Sequence, residues 1–252
     1  MINRAAIPAI FIIMSAMALT ARASNITDGL ISLNRTSPSF TSGSEEANAL
    51  ARLGGGEPAR IRERLSGILR PTNQPDPEVV RKIVEAQHLS IATGRRVEQL
   101  RAALQPALDY HGRGGLPVYV LWSDQPKAYL VARAVIIITT RMMSIASDEE
   151  IRGIVAHELA HEYVWDERAE ALQTKNGRLM RECEFFCDAV AAFTLREIGD
   201  DPASYGRILE RVTFVGIEEG SAMRHESITH PSLYSRKKLN RFLCQLLRQT
   251  AV

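Results

Sequence analysis

Apolar and polar positions divide the chain into stretches of different rhythm. An apolar run from Ala5 to Leu19 comes first. From Ser24 to about Asn73 apolar residues thin out and Ser, Thr, Gly and Asn take over, with RTSPSFTSGSEE and RLGGGEPAR as loops. That composition predicts a flexible arm or pro-segment over 24–73, with a short helix at Ile61–Leu69 as its one structured candidate. The ordered domain is expected over 74–252. Behind Pro77, the residues Val80, Ile83 and Val84 recur at helical spacing, and a second helix is predicted from Arg95 to Tyr110, ending at HGRGG. The rhythm then changes. LPVYVLW reads as a strand between Gly115 and SDQP, and AYLVARAVIIITT as one or two more, β-branched towards its end. After residue 147 the pattern is helical again. Helices, a small sheet and then helices predict an α+β fold that is mainly α-helical.

The first apolar run carries Arg4 before it and Ala21-Arg22-Ala23 after it, the layout of a signal peptide over 1–23 cleaved after Ala23. The competing reading is an uncleaved membrane anchor, but fifteen residues interrupted by Pro8 fall short of the ~20 a bilayer span needs. Export to a periplasmic or extracellular place is the expectation, with membrane association only if the segment stays attached. Among 31 basic and 29 acidic side chains, loss of Arg4 and Arg22 leaves 29 of each, so no nucleic-acid partner is expected. A 45% hydrophobic fraction is that of an ordinary folded protein. Asn25 and Asn34 open glycosylation sequons, which matter only in a eukaryotic secretory pathway.

Chemistry concentrates in SDEEIRGIVAHELAHEYVW. Ser147 and Glu150 are spaced for a capping box, and an acidic first turn suits the positive end of the helix dipole. From Ile151 to Trp165 the helix is mostly apolar and should be buried, yet its middle holds His157, Glu158, His161 and Glu162. His157 and His161 are four apart, so both imidazoles share one face and can grip one tetrahedral cation. Glu158 lies about 100° round the helix, within reach of a water on that cation. This is the HExxH pattern of a zinc site with a glutamate general base. Two satisfied core histidines are the plainer alternative. His88 and His111 are read as structural or surface residues.

A catalytic zinc takes three protein ligands and leaves one position to water. RLMRECEFFCDAVAAFTLREIGDDP, a helix expected to end at Gly199 and Pro202, is the best supplier of the third. Glu184 and Asp188 share a face there: Glu184 suits the metal, and Asp188 suits a hydrogen bond from a ligating imidazole. Cys183 and Cys187 lie on the neighbouring stripe and open a rival, a closed Cys₂His₂ structural site, which would leave Glu158, Glu184 and Asp188 without a role. A Cys183–Cys187 disulfide would be strained within one helical face, and pairing of either with Cys244 stays open.

HExxH, a twenty-two-residue gap and ExxxD resemble the gluzincin metallopeptidases, in the branch of HtpX, OMA and the CAAX prenyl proteases. SDQPKAYLVARAVIIITTRMM is similar to the family's strand region before the zinc helix, with Lys127-Ala128-Tyr129-Leu130 where an Asn-Ala-Phe-Ala element is usual. EFFCDAVAAFTL resembles the Glu-x-x-Ala-Asp helix with Cys187 in place of alanine, and THPSLYSRKKLNRFL the closing His-Pro element followed by an Arg and a helix. The resemblance spans about Pro117 to Leu247. It implies a zincin-like domain with a small sheet beside the HExxH helix and one Zn²⁺ per chain. By the same resemblance His157, His161 and Glu184 are the ligands, Glu158 the catalytic acid/base, Asp188 an outer partner, and His230 an oxyanion-stabilising residue near the cleft, with His225 a weaker candidate. The function it implies is a soluble zinc endopeptidase acting on exported or envelope proteins. The alternative is a non-hydrolytic zinc chaperone or assembly factor of the envelope, which has no use for Glu158.

Overall fold

In this computed structural model, residues 40–55, 58–67, 75–218 and 229–249 are described. In chain order the helices are α1 (Glu45–Arg52), α2 (Pro58–Gly67), α3 (Pro77–Glu85) and α4 (Arg95–Tyr110). Strands β1 (Val118–Leu121), β2 (Ala128–Val131) and β3 (Val135–Thr139) follow. The remainder is α5 (Thr140–Ile145), α6 (Asp148–Ala160), a 3₁₀ turn (His161–Val164), α7 (Trp165–Gln173), α8 (Gly177–Glu197), α9 (Ala203–Glu218) and α10 (Leu233–Gln249). The mainly helical α+β architecture expected from the chain's rhythm is the one observed.

The apolar run VIIIT is the centre of the sheet because every one of its residues is covered. Strand order is β1-β3-β2, with β1 parallel and β2 antiparallel to β3. Period-two alternation sorts the side chains between two layers. Val118, Val120, Ile136 and Ile138 pack with α4 and α6, whereas Leu121, Val135 and Ile137 pack with α3. Strand β2 lies at the edge and is half-buried throughout.

β2 and β3 are joined by Ala132-Arg133-Ala134, a tight turn in which Ala134 N–H is bonded to the Val131 carbonyl at 2.8 Å. Its two central residues, Ala132 and Arg133, have positive φ, 50° and 56°, as the central positions of a type I′ turn require. Such turns normally carry Asn or Gly, and a non-glycine residue in this region costs on the order of 1–3 kcal/mol. The surroundings must therefore hold it.

Helix α6 starts where its cap dictates: Ser147 Oγ accepts from Glu150 N–H at 3.2 Å, and Glu150 Oε2 from Ser147 N–H at 2.9 Å. It does not run unbroken to Trp165. It tightens into the 3₁₀ turn at His161, where Tyr163, Val164 and Trp165 are poor helix formers. Helix α8 is capped by Asn176, whose Oδ1 accepts from Leu179 N–H at 3.1 Å, and it stops at Glu197 before Gly199 (φ 87°).

Within the stretch 24–73, α1 lies where no helix was expected, and α2 overlaps the short helix expected at Ile61–Leu69. Ser44 caps α1, whose Ala49 and Leu50 are buried, as is Leu53 just beyond it; Ile61 and Leu65 of α2 join the same cluster beside Phe185 and Phe186. Each buried leucine contributes about 2 kcal/mol, enough to hold a short helix against α8. Ion pairs Glu45–Arg181 (2.6 Å) and Arg52–Glu167 (2.9 Å) flank the contact. Averaging over a Ser/Gly-rich stretch hides an apolar stripe this short. The leader at 1–23, both sequons and His225 lie outside the described residues.

Candidate active site

Two helices build the site. α6 and the turn after it carry His157, Glu158 and His161; α8 crosses beside them and carries Glu184 and Asp188. The imidazoles of His157 and His161 stand 5.0 Å apart, nearly perpendicular. Their Nε2 atoms face one carboxylate: His157 Nε2 is 3.4 Å from Glu184 Oε2, and His161 Nε2 is 3.8 Å from Glu184 Oε1. Two ligand atoms each ~2.1 Å from a tetrahedral cation would sit about 3.4 Å apart. The spacing and the N, N, O donor chemistry therefore fit zinc. Donor atoms of His157, Glu158 and His161 also lie within 4.8 Å of one another. Glu158 faces the sheet, where its Oε2 accepts the Leu130 N–H at 3.3 Å. That leaves Glu184 as the carboxylate centred on both Nε2 atoms.

Outer partners differ between the histidines. His157 Nδ1 is 3.1 Å from Asp188 Oδ1 and 2.8 Å from Tyr205 Oη. Tyr205 donates to Asp188 Oδ1 at 2.5 Å, and Arg236 grips Asp188 through Nε (2.8 Å) and Nη2 (2.5 Å) while also donating to Tyr205 Oη (2.8 Å). His161 Nδ1 instead meets Cys187 Sγ at 3.3 Å. Tyr205 reaches this depth because α9 crosses α6 at Gly153, where an added Cβ would lie 3.3 Å from that of Tyr205.

Burial and charge set the protonation of these groups. Burial alone would strip the proton from His157, but hydrogen bonds to Asp188 and Glu184 raise it to about 9. Burial lowers His161 to about 3. Burial works against ionisation of Asp188, yet Arg236 and His157 hold it down to about 2. Burial pushes Glu158 up, against the lowering pull of the His157 ring and the Leu130 N–H.

The other expected residues are placed as follows. His230 sits at the rim, its Nε2 4.0 Å from Glu184 Oε2, with Thr229 Oγ1 2.7 Å from its Nδ1. Cys183, Cys187 and Cys244 are buried free thiols. Cys187 meets the nitrogen of His161 that faces away from Glu184, so the closed Cys₂His₂ arrangement lacks the Cys187 thiol on the donor face. His111 is buried between Tyr163 Oη (2.7 Å) and Thr194 Oγ1 (3.0 Å), as a structural histidine should be. Tyr205 had no sequence signal, since nothing in SYGRI carries metal-ligand spacing. Arg236 is the arginine after the His-Pro element, but its bond to Asp188 is visible only in the fold.

Residues 93–180 match the model of Peptidase family M48, a segment that contains the two histidines and Glu158 and ends before Glu184. The chain is 34% identical over 91 residues to a protein named protease HtpX homolog from Ralstonia nicotianae, covering 33% of this chain and 30% of that relative. Proteins of the same name from Ralstonia pickettii and Thermodesulfovibrio yellowstonii are each 44% identical, over 57 and 48 residues. Those matches cover 20% and 18% of this chain, and 20% and 17% of the relatives. The chain thus spans less than a third of the length of the curated relatives it matches.

These relatives correct one expectation. They are proteins named protease HtpX homolog, and the similarity to them gives no support to the exported, periplasmic or secreted place inferred from the first 23 residues. The similarity does not extend to the exported or envelope substrates inferred with it. Among the described residues, no helix is long and apolar enough to cross a membrane. What the histidine helix and the matched segment establish together is that residues 93–180 are similar to Peptidase family M48 and to HtpX homologues, and that this similar stretch holds two histidines at metal-ligand spacing.

Proposed function

We propose that the chain is a zinc-dependent endopeptidase that hydrolyses peptide bonds in protein substrates. The observation that carries this reading is the buried carboxylate of Glu184 facing the Nε2 atoms of both His157 and His161, with Glu158 beside them. His157, His161 and Glu184 would hold one Zn²⁺. When bound, zinc polarises the scissile carbonyl and makes a coordinated water more acidic.

The chain's own residues supply the rest. Glu158, poised by burial, takes a proton from the attacking water and delivers it to the leaving amine. Asp188, fixed by Arg236 and Tyr205, orients the His157 ring through Nδ1 and keeps Nε2 turned to the donor face. His230, at the rim, is placed to approach the carbonyl oxygen as charge develops there. Strand β2 is the edge of the sheet, and its Leu130 N–H points off that edge to Glu158 rather than into β3. An extended substrate can pair with this edge, so affinity comes from backbone hydrogen bonds and sequence preference is loose.

Glu158→Gln separates binding from chemistry. The variant should retain zinc at the wild-type stoichiometry and lose cleavage of a disordered protein by at least ~10²-fold, the range of a general base. Undiminished cleavage by the zinc-replete variant contradicts the mechanism.

A further inference from the structure

Behind the two histidines lies a cluster of charges that the proposed reaction leaves unused. Glu162 follows His161 directly and is buried. Its Oε1 is 3.3 Å from Arg113 Nε and 4.0 Å from Arg133 Nε. Arg113, itself buried, comes from the turn after α4 and donates from Nη2 to the Arg133 carbonyl at 2.5 Å. The Arg133 guanidinium lies 5.2 Å over the ring of Trp165, at the start of α7. Arg133 is also the second residue of the β2–β3 turn, held at a positive φ that its side chain disfavours. Two independent features therefore meet at one residue: a conformation that local sequence does not support, and contacts from the histidine segment that hold it.

We propose that Glu162, Arg113 and Arg133 form a positioning clasp that ties the β2–β3 turn to the histidine segment and so sets the open edge of β2 over Glu158. The inference rests on β2 being the substrate-pairing strand. The lever is short. Leu130, whose N–H reaches Glu158, is three residues from Arg133, roughly 10 Å along an extended chain. A shift at the turn therefore reaches the edge amides with little chain to absorb it. The paired charges also tie two functions to one segment: His161 faces the metal side, and its neighbour Glu162 faces the strand that would present the substrate.

The test combines amide hydrogen exchange at Leu130 with steady-state cleavage of an extended peptide, on Arg133→Ala and Glu162→Gln. If the clasp positions the strand, Leu130 exchanges about 10-fold faster in both variants while zinc content stays at wild type. KM for the peptide rises ~5–10-fold with kcat within about 2-fold, the signature of lost substrate positioning rather than lost chemistry. An ion pair that merely stabilises the fold would lower Tm and leave Leu130 exchange and KM at wild-type values, and that result overturns the proposal. Arg133 is partly exposed, so Arg133→Ala carries the test if Glu162→Gln does not accumulate as folded protein. Should the wild-type chain cleave nothing, the peptidase reading falls alone; exchange at Leu130 still decides whether the clasp holds the strand.

Discussion

His157 and His161 sit one helical turn apart and turn their Nε2 atoms to the same carboxylate, yet they are held in opposite ways. His157 is backed by a buried ionic network of Asp188, Tyr205 and Arg236, in which each polar atom answers another. His161 is backed by the thiol of Cys187, a weak and neutral partner. The titration of the two rings follows: carboxylates raise His157 to about 9, whereas burial lowers His161 to about 3. The difference teaches that two histidines facing one carboxylate need not be held alike. His157 is anchored electrostatically, and His161 by packing against the wall of α8.

If this contrast is right, substitutions on the two sides differ in size. The largest effect is expected of Asp188→Ala, which leaves the Arg236 guanidinium inside without its partner and costs about 3–5 kcal/mol of stability. In the protein that remains folded, zinc affinity measured by competition with a chelating dye should fall ~10–100-fold. Tyr205→Phe removes one hydroxyl from the same network. It should cost about 1–2 kcal/mol in a denaturant titration and weaken zinc less than Asp188→Ala does. On the other side, Cys187→Ala should change zinc affinity by no more than about 3-fold, with roughly 1 kcal/mol lost to the small cavity. A loss on Cys187→Ala equal to that of Asp188→Ala would break the comparison.

The smallest effect concerns thiol chemistry. Burial pushes Cys244 up to about 11 and Cys187 well above its ordinary range. At pH 8 these groups stay protonated and react slowly. A thiol-reactive dye should therefore leave the native protein essentially unlabelled and count three thiols after denaturation. Two labelled thiols or fewer after unfolding would mean that a disulfide forms, contrary to three free cysteines.

How much of this was readable in the chain depends on whether the signal is local. The capping box at Ser147 and Glu150 and the spacing of His157, Glu158 and His161 act within two helical turns, and both stand in the structure as expected. Glu184 and Asp188 were readable only because the histidines posed the question of a third donor. Tyr205 was not, since its role depends on α9 crossing α6 at Gly153, a contact between residues 52 apart. The Ala132-Arg133 turn carries no turn residue at all, because distant partners impose its conformation. Helix α1 is hidden in the sequence for a related reason: its stripe of Ala49, Leu50 and Leu53 gains meaning only against the aromatic face of α8.

The central claim is that zinc, held by His157, His161 and Glu184, serves peptide hydrolysis. It is tested most directly by measuring metal content and cleavage of a disordered protein on one purified sample, before and after chelation and after zinc is restored. The account predicts one zinc per chain, cleavage that disappears with the metal, and recovery when zinc alone is returned. Cleavage that continues in the metal-free protein, or a zinc-replete protein that cleaves no substrate, would contradict it.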